Sequence, residues 1–220
     1  EILRCLVGSE MCIRDSAETI LHCSNYFYNE PAVQTAKLIV ENSCFDKVLF
    51  ANSGAEANEG QIKLARKYAK DHGHPERFVV ITMKNSFHGR TITTLTATGQ
   101  DVFHKDFGPF PANFGYIPAN DFDTFKATVD DSVCAVMMEM VQGEGGVVAL
   151  DADYVQSVAD YCHAHDILII VDEVQTGVGR TGTFLCCEHY NLKPDIVTLA
   201  KGLGGGLPIG AVLLNEKTAE

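Results

Sequence analysis

Apolar and polar residues follow two different spacings along this chain. Short apolar runs bounded by glycine, asparagine or aspartate are typical of buried strands. They predict strands in KVLFA, RFVVIT, VCAVMME, ILIIVDE, DIVTLAK and IGAVLL. Longer segments with apolar residues at helical spacing predict helices in PAVQTAKLIVEN, GAEANEGQIKLARKYAKDHG and DADYVQSVADYCHAHD, the last capped by Asp151 or Asp153. This alternation predicts an α/β fold with a mostly parallel sheet flanked by helices.

Composition limits the class of protein. With 220 residues the chain can form one large core, and we predict a single domain. A net charge of -12 makes nucleic acid or an anionic membrane an unfavourable partner. No apolar run approaches the roughly 20 residues of a membrane helix. The eight cysteines show no C-x-x-C spacing, so we expect reduced thiols in a cytoplasmic protein and no metal site.

The first sixteen residues differ from the rest of the chain. The stretch LVGSEMCIRDS, from Leu6 to Ser16, matches the translation of a transposase sequencing adapter. We therefore interpret residues 1–16 as an assembly artefact and exclude them from the fold prediction. A targeting peptide or an amphipathic start fits less well, because only two of these residues are basic and Gly8 breaks the apolar run.

Lys201 stands where a predicted strand gives way to a glycine tract, GLGGG. Glycines permit backbone conformations that other residues avoid, and a solvated lysine does not need them. Two interpretations are open from this stretch alone. Lys201 is either a surface residue opening a flexible loop, or an amine held at a strand end, where desolvation would favour its neutral, nucleophilic form.

Residues suited to ligand binding follow five of the predicted strands. In sheets of this kind, ligands bind beyond the carboxyl ends of the strands. The segments at these ends are NSGAE, KNSFHGR, QGEGG, DEVQTG and the lysine of DIVTLAK. Because packing alone does not explain five such segments, we predict one ligand site at this edge of the sheet.

Two of these segments are suited to opposite charges. NSGAEANE places Ser53, Gly54 and Ala55 at a helix start, where backbone N–H groups and the helix dipole suit a phosphate. An ordinary serine cap is the favoured alternative for this motif alone. Asp172 follows four apolar residues, and its burial is costly unless it faces a donor such as a protonated ring nitrogen. A helix cap or an internal ion pair explains Asp172 equally well.

The segment NSFHGRT offers an aromatic ring and a guanidinium. Phe87 can stack on a planar ligand, and Arg90 can bind a carboxylate through two hydrogen bonds. Taken singly, Phe87 fits a core residue and Arg90 a surface charge. His88 fits a structural histidine better than a proton shuttle, and we place it at the same ligand site. Together with Lys201, these parts are those that a pyridoxal phosphate enzyme needs.

The chain resembles the class III, fold-type I aminotransferases, which use pyridoxal 5'-phosphate (PLP). The similarity begins at about HCSNYFYNEPAV and covers nearly everything after the suspected artefact. Its blocks are NSGAEANE, SFHGRT, QGEGG, DEVQTGVGRTG and EHYNLKPDIVTLAKGLGGGLPIGA. The resemblance implies the large domain of that fold.

The resemblance also implies how the cofactor ring is held. Lys201 would form a Schiff base with PLP and later move a proton of the substrate. Asp172 would keep the pyridine nitrogen protonated, and Gln175 would bind near the ring hydroxyl. Phe87 and Val174 would lie on the two faces of the ring.

Phosphate and substrate contacts are implied in the same way. Gly54 and Ala55 would bind the phosphate through backbone N–H groups, with Ser53 nearby. Arg90 would bind a substrate carboxylate. Glu144 would pair with, or release, an arginine of the family's C-terminal part, so that the site can alternate between two substrates.

The sequence departs from the family pattern in two respects. Met140 stands where the family usually has proline, which relaxes the local backbone restriction. The resemblance also implies that residues 17–220 are an incomplete large domain. It would lack the N-terminal segment, the small domain with its arginine, and a phosphate-binding threonine from a partner subunit. We therefore expect the isolated chain to be inactive.

The resemblance implies an amino transfer from N2-acetylornithine to 2-oxoglutarate in arginine biosynthesis, in a homodimer with shared active sites. Succinylornithine, ornithine and 4-aminobutyrate are alternative donors that the shared blocks do not separate. A catalytically silent binding subunit is a different class of function. Intact Lys201 and Asp172 argue against it.

Overall fold

A computed structural model of the protein describes residues 7–20, 22–24 and 26–219. Its strands are β1 (Lys47–Ala51), β2 (Val79–Met83), β3 (Phe114–Ile117), β4 (Val133–Met138), β5 (Val141–Gln142), β6 (Val148–Ala149), β7 (Leu168–Asp172), β8 (Ile196–Leu199) and β9 (Gly210–Leu214). Each strand predicted from an apolar run is present, with ends that coincide or shift by at most two residues. Strands β3, β5 and β6 were not predicted, because they are short and β3 contains Gly115.

Seven strands form one sheet, in the order β1-β9-β8-β7-β4-β2-β3. The pairings of β8 with β7, β7 with β4, β4 with β2, and β2 with β3 are parallel. Strand β9 is antiparallel to both of its neighbours, β1 and β8. The sheet is therefore mixed but mostly parallel, which confirms the predicted fold class.

The helices are α1 (Val7–Thr19), α2 (Glu30–Glu41), α3 (Gly54–Asp71), α4 (Ile92–Ala97), α5 (Asp101–His104), α6 (Phe122–Thr128) and α7 (Ala152–Ala164). Short 3-10 helices cover Cys186–Tyr190, Lys201–Gly204 and Glu216–Thr218. The three predicted helices correspond to α2, α3 and α7. Asp151 stands at the N-cap of α7 as predicted, although its side chain makes no capping hydrogen bond.

Both faces of the sheet are buried, which explains why its central strands are apolar at nearly every position. Successive side chains of a strand point to opposite faces. In β7, Ile169 and Val171 join one core cluster, and Leu168 and Ile170 join the other. Helix α7 contributes to the first cluster and α3 to the second. The sheet is thus the middle layer between helices, and its strand ends are fixed by packing on both sides.

Met140 follows Glu139, the first residue after β4. Its side chain is fully buried in the core. Its carbonyl accepts hydrogen bonds from the Leu150 N–H at 3.0 Å and the Tyr190 hydroxyl at 3.2 Å. Core packing and these two hydrogen bonds therefore restrict the backbone at Met140.

Residues 1–6 lie outside the described part of the chain, and residues of α1 begin at Val7. The hypothesis that residues 1–16 are an assembly artefact stays a prediction. Within the described ranges, no helix is both long and apolar enough to cross a membrane. Six cysteines there are free thiols: Cys23, Cys44, Cys134, Cys162, Cys186 and Cys187.

Candidate active site

A cavity of about 430 Å³ lies at the carboxyl ends of β1, β7 and β8. The structure brings every site residue predicted from the sequence to the wall of this one cavity: Ser53, Gly54, Ala55, Phe87, His88, Arg90, Glu144, Asp172, Val174, Gln175 and Lys201. These residues come from segments up to 148 positions apart, and the sheet collects them because its parallel strands end at the same edge. Their individual roles stay predictions.

The N-terminus of α3 forms one end of the cavity. Ser53 is its N-cap, and the Ser53 hydroxyl oxygen accepts a hydrogen bond from the Glu56 N–H at 3.1 Å. Because the hydroxyl acts as acceptor there, its own hydrogen remains available for a ligand. A helix leaves its first N–H groups without intrahelical acceptors. The helix N-terminus can therefore offer several donors to an anionic group.

Gly54 allows this helix end to approach the strands closely. A Cβ atom at Gly54 would lie 2.8 Å from Cγ1 of Val174 and 3.3 Å from Cβ of Ala200. Any side chain would push the helix away from the segments that carry Asp172 and Lys201. The glycine thus fixes the distance between the candidate phosphate site and the rest of the cavity.

Asp172 ends β7 with a side chain that is 4% exposed. Its Oδ2 atom accepts hydrogen bonds from Nδ2 of Asn58 at 2.7 Å and lies 2.9 Å from Nδ1 of His88. Its Oδ1 atom accepts from the Val174 N–H at 3.0 Å. A carboxylate oxygen has two lone pairs, so Oδ1 can accept one more hydrogen bond from a ligand. These donors offset the free-energy cost of burying the carboxylate.

Lys201 lies at the cavity wall, where its amine donates a hydrogen bond to Oε1 of Gln175. Its backbone is left-handed, with φ +43°. Such a conformation costs free energy for a residue other than glycine. The expected desolvation of Lys201 is not observed. The residue is exposed, because the adjoining glycine tract at Gly205 and Gly206 itself lies at the surface of the chain.

The loop that carries Phe87 borders the cavity on another side. The ring of Phe87 packs edge to face on Phe103, with centroids 5.6 Å apart. The exposed Arg90 lies over the same Phe103 ring at 5.7 Å. Gly89 has φ +138°, and a Cβ there would lie 2.5 Å from Oγ1 of Thr94. Gly89 is therefore required by packing of the loop within the protein.

Glu139, at the end of β4, was not assigned a role from the sequence. It is 5% exposed, lines the cavity, and accepts a hydrogen bond from the Phe87 N–H at 2.9 Å. Burial raises the pKa of the Glu139 carboxyl to about 7, with His88 lowering it and the charge of Asp172 raising it. Its backbone contacts reach Phe87 and Gly143, so Glu139 links the loops on two sides of the cavity.

Neighbouring residues of the DEVQTG segment have different structural roles, and Glu173 does not line the cavity. The side chain of Glu173 accepts hydrogen bonds from the backbone N–H groups of Cys186 at 2.6 Å and Cys187 at 2.8 Å. Burial raises the pKa of this carboxyl, and these N–H groups oppose the shift. Glu173 thus stabilises the start of a 3-10 helix, whereas its neighbours Asp172 and Val174 line the cavity.

Sequence reasoning also missed a buried polar network behind Asp172. Asn58 and Gln61 of α3 and Thr198 of β8 are each at most 1% exposed. They are joined by hydrogen bonds to one another and to Asp172. The sequence contained a sign of this network. Asn58 and Gln61 fall on the buried face of α3, and Thr198 interrupts the apolar run of β8. Their partners, however, are up to 140 positions away.

A family model for the class-III aminotransferases matches residues 11–220. The chain belongs to the class-III aminotransferase family. It is 56% identical over 207 residues to the acetylornithine aminotransferase of Caldanaerobacter subterraneus subsp. tengcongensis, which covers 94% of this chain and 53% of that relative. The chain thus spans about half the length of the curated relatives it matches.

Solved aminotransferase structures share the fold of this class-III aminotransferase chain. A transaminase from the marine bacterium Virgibacillus has a TM-score of 0.92 and 28% identity, covering 96% of this chain and 52% of that one. The ornithine aminotransferase of Toxoplasma gondii has a TM-score of 0.86 and 35% identity, covering 93% and 49%. That structure shows partial occupancy of PLP at its active site.

These findings indicate PLP as the cofactor of this family member, and the cavity fits it. The N-terminus of α3 offers donors to a phosphate, and Oδ1 of Asp172 can accept a hydrogen bond from a ring nitrogen. The amine of Lys201 opens on the same cavity. Hydrogen-bond donors for a phosphate, a carboxylate and an amine therefore surround one cavity. These groups match the phosphate, the ring nitrogen and the aldehyde of PLP.

Proposed function

We propose that this chain is the cofactor-binding part of an aminotransferase that moves the terminal amino group of N2-acetylornithine to 2-oxoglutarate. The observation that carries the proposal is the shared cavity, which joins Lys201, Asp172 and the N-terminus of α3. Identity of up to 56% to acetylornithine aminotransferases supports the choice of donor. The same assignment places the reaction in arginine biosynthesis.

Bound PLP supplies an aldehyde carbon and a ring that draws electrons away from the reacting bond. Lys201 would supply an amine that could react with that carbon and move a proton of the substrate. Gln175 orients the amine through its side-chain oxygen. Asp172 would hold the ring nitrogen, and its carboxylate would stabilise a protonated, electron-poor ring.

Substrate binding is assigned to the exposed side of the cavity. Arg90 is directed by its contact with Phe103 and can bind a carboxylate through two parallel hydrogen bonds. Glu144 lines the same cavity and is exposed. We assign to it the pairing with a cationic group that lets the site accept both an amino donor and 2-oxoglutarate. Phe87 and Val174 are assigned to the two faces of the ring.

The proposal includes a homodimer with shared active sites and a cytoplasmic location. The open cavity supports the shared active sites. Lys201 and Leu207 at its rim are exposed, so a partner subunit could pack over them. The free thiols support the cytoplasmic location, since such cysteines are typical of reducing compartments.

A comparison of amino donors tests the proposed function. The protein expressed from its complete reading frame is assayed with 2-oxoglutarate and, separately, N2-acetylornithine, succinylornithine, ornithine and 4-aminobutyrate. We expect the highest kcat/KM for N2-acetylornithine. A preference for ornithine would replace the proposed donor, and no transfer from any of the four amines by the PLP-loaded protein would reject the proposal.

A further inference from the structure

The side chain of Asn58 uses all of its hydrogen-bonding capacity inside the protein. Its Nδ2 group donates to Oδ2 of Asp172 at 2.7 Å and to the carbonyl oxygen of His88 at 2.7 Å. Its Oδ1 atom accepts from Nε2 of Gln61 at 2.7 Å and from the hydroxyl of Thr198 at 2.8 Å. An asparagine amide has two donors and accepts two hydrogen bonds, so this set is complete.

The orientation of this amide is decided by its partners. The carboxylate of Asp172 and the carbonyl of His88 can only accept, so the NH2 group must face them. An amide turned the other way would place its oxygen against two acceptors in a site that is 1% exposed. The Asn58 amide is therefore held in one orientation, with its NH2 group donating to Asp172 and to the His88 carbonyl.

Asn58 also connects the parts of the cavity that hold different ends of the cofactor. It lies four residues after Gly54, one turn from the candidate phosphate site on the same helix. The carbonyl that it binds, that of His88, follows the stacking residue Phe87. Its partner Thr198 lies on β8, three residues before Lys201. One side chain thus joins α3, β8, the loop at Phe87 and Asp172.

We propose that Asn58 is a positioning residue that fixes the orientation of the Asp172 carboxylate and its distance from the phosphate site on α3. This inference deepens the proposed function and rests on it for the identity of the cofactor. A hydrogen bond donated to the charged form of a carboxylate favours that form. The path through α3 then sets the distance between the N–H donors at the helix N-terminus and the Asp172 carboxylate.

The test replaces the donor with a second acceptor of nearly the same shape. In Asn58→Asp, two carboxyl groups would stand at the 2.7 Å separation of the present hydrogen bond, and they would have to share a proton. The protein is produced from its complete reading frame, freed of cofactor and titrated with PLP. We expect the Kd for PLP to rise about 10- to 100-fold, the effect of losing one hydrogen bond to a charged group.

A spectroscopic measurement separates positioning from a purely structural role. The visible circular dichroism of bound PLP reports the orientation of the ring and the protonation of its nitrogen. We expect Asn58→Asp at saturating PLP to change the position or sign of this band. Far-ultraviolet circular dichroism, recorded on the same samples, establishes that the fold is retained.

Asn215→Asp is the matched control. Nδ2 of Asn215 lies 3.5 Å from Oδ1 of the buried Asp195, so this change also sets two carboxyl groups side by side. Neither residue lines the cavity. We expect Asn215→Asp to leave both the Kd for PLP and the visible band as in the unchanged protein.

A second variant keeps the inference testable if Asn58→Asp does not fold. Thr198→Val keeps the side-chain shape and removes one of the two hydrogen bonds that orient the Asn58 oxygen. We expect the Kd for PLP to rise about 2- to 10-fold, as for the loss of one neutral hydrogen bond. An unchanged Kd and an unchanged visible band in whichever variant folds would overturn the inference.

Failure of the proposed function is recognised separately. The Kd and the visible band require PLP alone and no amino donor. If N2-acetylornithine is not a substrate but Asn58→Asp weakens PLP binding as expected, the positioning role stands and only the donor is wrong. If the unchanged protein binds no PLP, the proposed function and this inference both fail.

Discussion

Nδ1 of His88 lies 2.9 Å from Oδ2 of Asp172, and the two side chains are 0% and 4% exposed. Nε2 of His88 is buried and has no hydrogen-bond partner among the described residues. A proton on Nε2 would be left without an acceptor there, which is costly. The hydrogen of the imidazole therefore belongs on Nδ1, where it is donated to Asp172. His88 thus donates from Nδ1 to the carboxylate of Asp172.

Asp172→Asn removes the carboxylate charge with little change of shape. We expect turnover with N2-acetylornithine and 2-oxoglutarate to fall about 10²- to 10⁴-fold, the contribution of one positioned catalytic group. PLP retained after gel filtration should change less than turnover, because the donors at the N-terminus of α3 remain. Steady-state kinetics and PLP content measured on the same preparation check both points. Near-normal turnover would contradict the role of Asp172.

Lys201 should be the residue that carries the cofactor covalently. Lys201 is exposed, but among the lysines of the described residues it is the one that lines the cavity. Borohydride reduction of the PLP-loaded protein, followed by peptide mapping, should place the pyridoxyl group on Lys201. Lys84, which is exposed and does not line the cavity, is an internal control and should stay unlabelled. A label on any other lysine would refute the assignment.

Arg90→Lys should weaken binding of the substrate carboxylate. A lysine presents a point charge, whereas the guanidinium presents two parallel donors. Because Arg90 is exposed in this chain, we expect kcat/KM for N2-acetylornithine to fall about tenfold, less than for a fully buried charge pair. The matched donor is N-acetyl-1,4-diaminobutane, which has the same length and no carboxylate. An equal loss with this donor would make Arg90 a structural residue.

Glu139→Gln should change how stability depends on pH. Burial raises the pKa of the Glu139 carboxyl to about 7, so folding favours its protonated form. Its stabilising contribution is fully present below the unfolded pKa of about 4.5 and is lost as the pH rises through about 7. The variant should therefore gain unfolding free energy relative to the unchanged protein at pH 8 but not at pH 4.5. The gain should reach a few kcal/mol at most, since one pKa unit corresponds to about 1.4 kcal/mol.

Urea unfolding at the two pH values measures this difference. The exposed Glu216→Gln is the control and should show the same difference from the unchanged protein at both. His88 and Asp172 are the ionisable groups that act on Glu139 within the described chain. If Glu139→Gln changes the unfolding free energy by the same amount at pH 4.5 and pH 8, titration of Glu139 does not contribute to the pH dependence of the protein's stability.

Residues 17–220 alone should show no transaminase activity. Large apolar side chains of this chain are exposed, among them Tyr26 at 93%, Phe27 at 70% and Tyr28 at 98%. Exposed apolar patches of this kind favour association, and the rim of the cavity at Leu207 is open. Transaminase assays and gel filtration compare this fragment with the protein from the complete reading frame. Full activity of the fragment would refute both the expected incompleteness and the shared-site dimer.

The sequence by itself determined six of the described strands, the helices α2, α3 and α7, and the eleven predicted residues that line the cavity. Strands such as LIIV and IVTL are buried on both faces of a mostly parallel sheet and are therefore apolar at nearly every position. Such a run can be recognised from the local sequence alone. Because parallel strands end at one edge, the segments after them could be placed together before any distance was known. Phe87, Asp172 and Lys201 were found in this way.

The tertiary structure decided what depends on distant partners. The position of β9 between β1 and β8 follows from pairings across the chain, and no local pattern specifies it. The roles of Asn58, Glu139 and Thr198 depend on hydrogen bonds between residues 30 to 140 positions apart. Exposure of Lys201 likewise depends on what covers the glycine tract. Hydrophobic periodicity reports which face of an element is buried, but the partner of a buried polar group is set only when the elements pack.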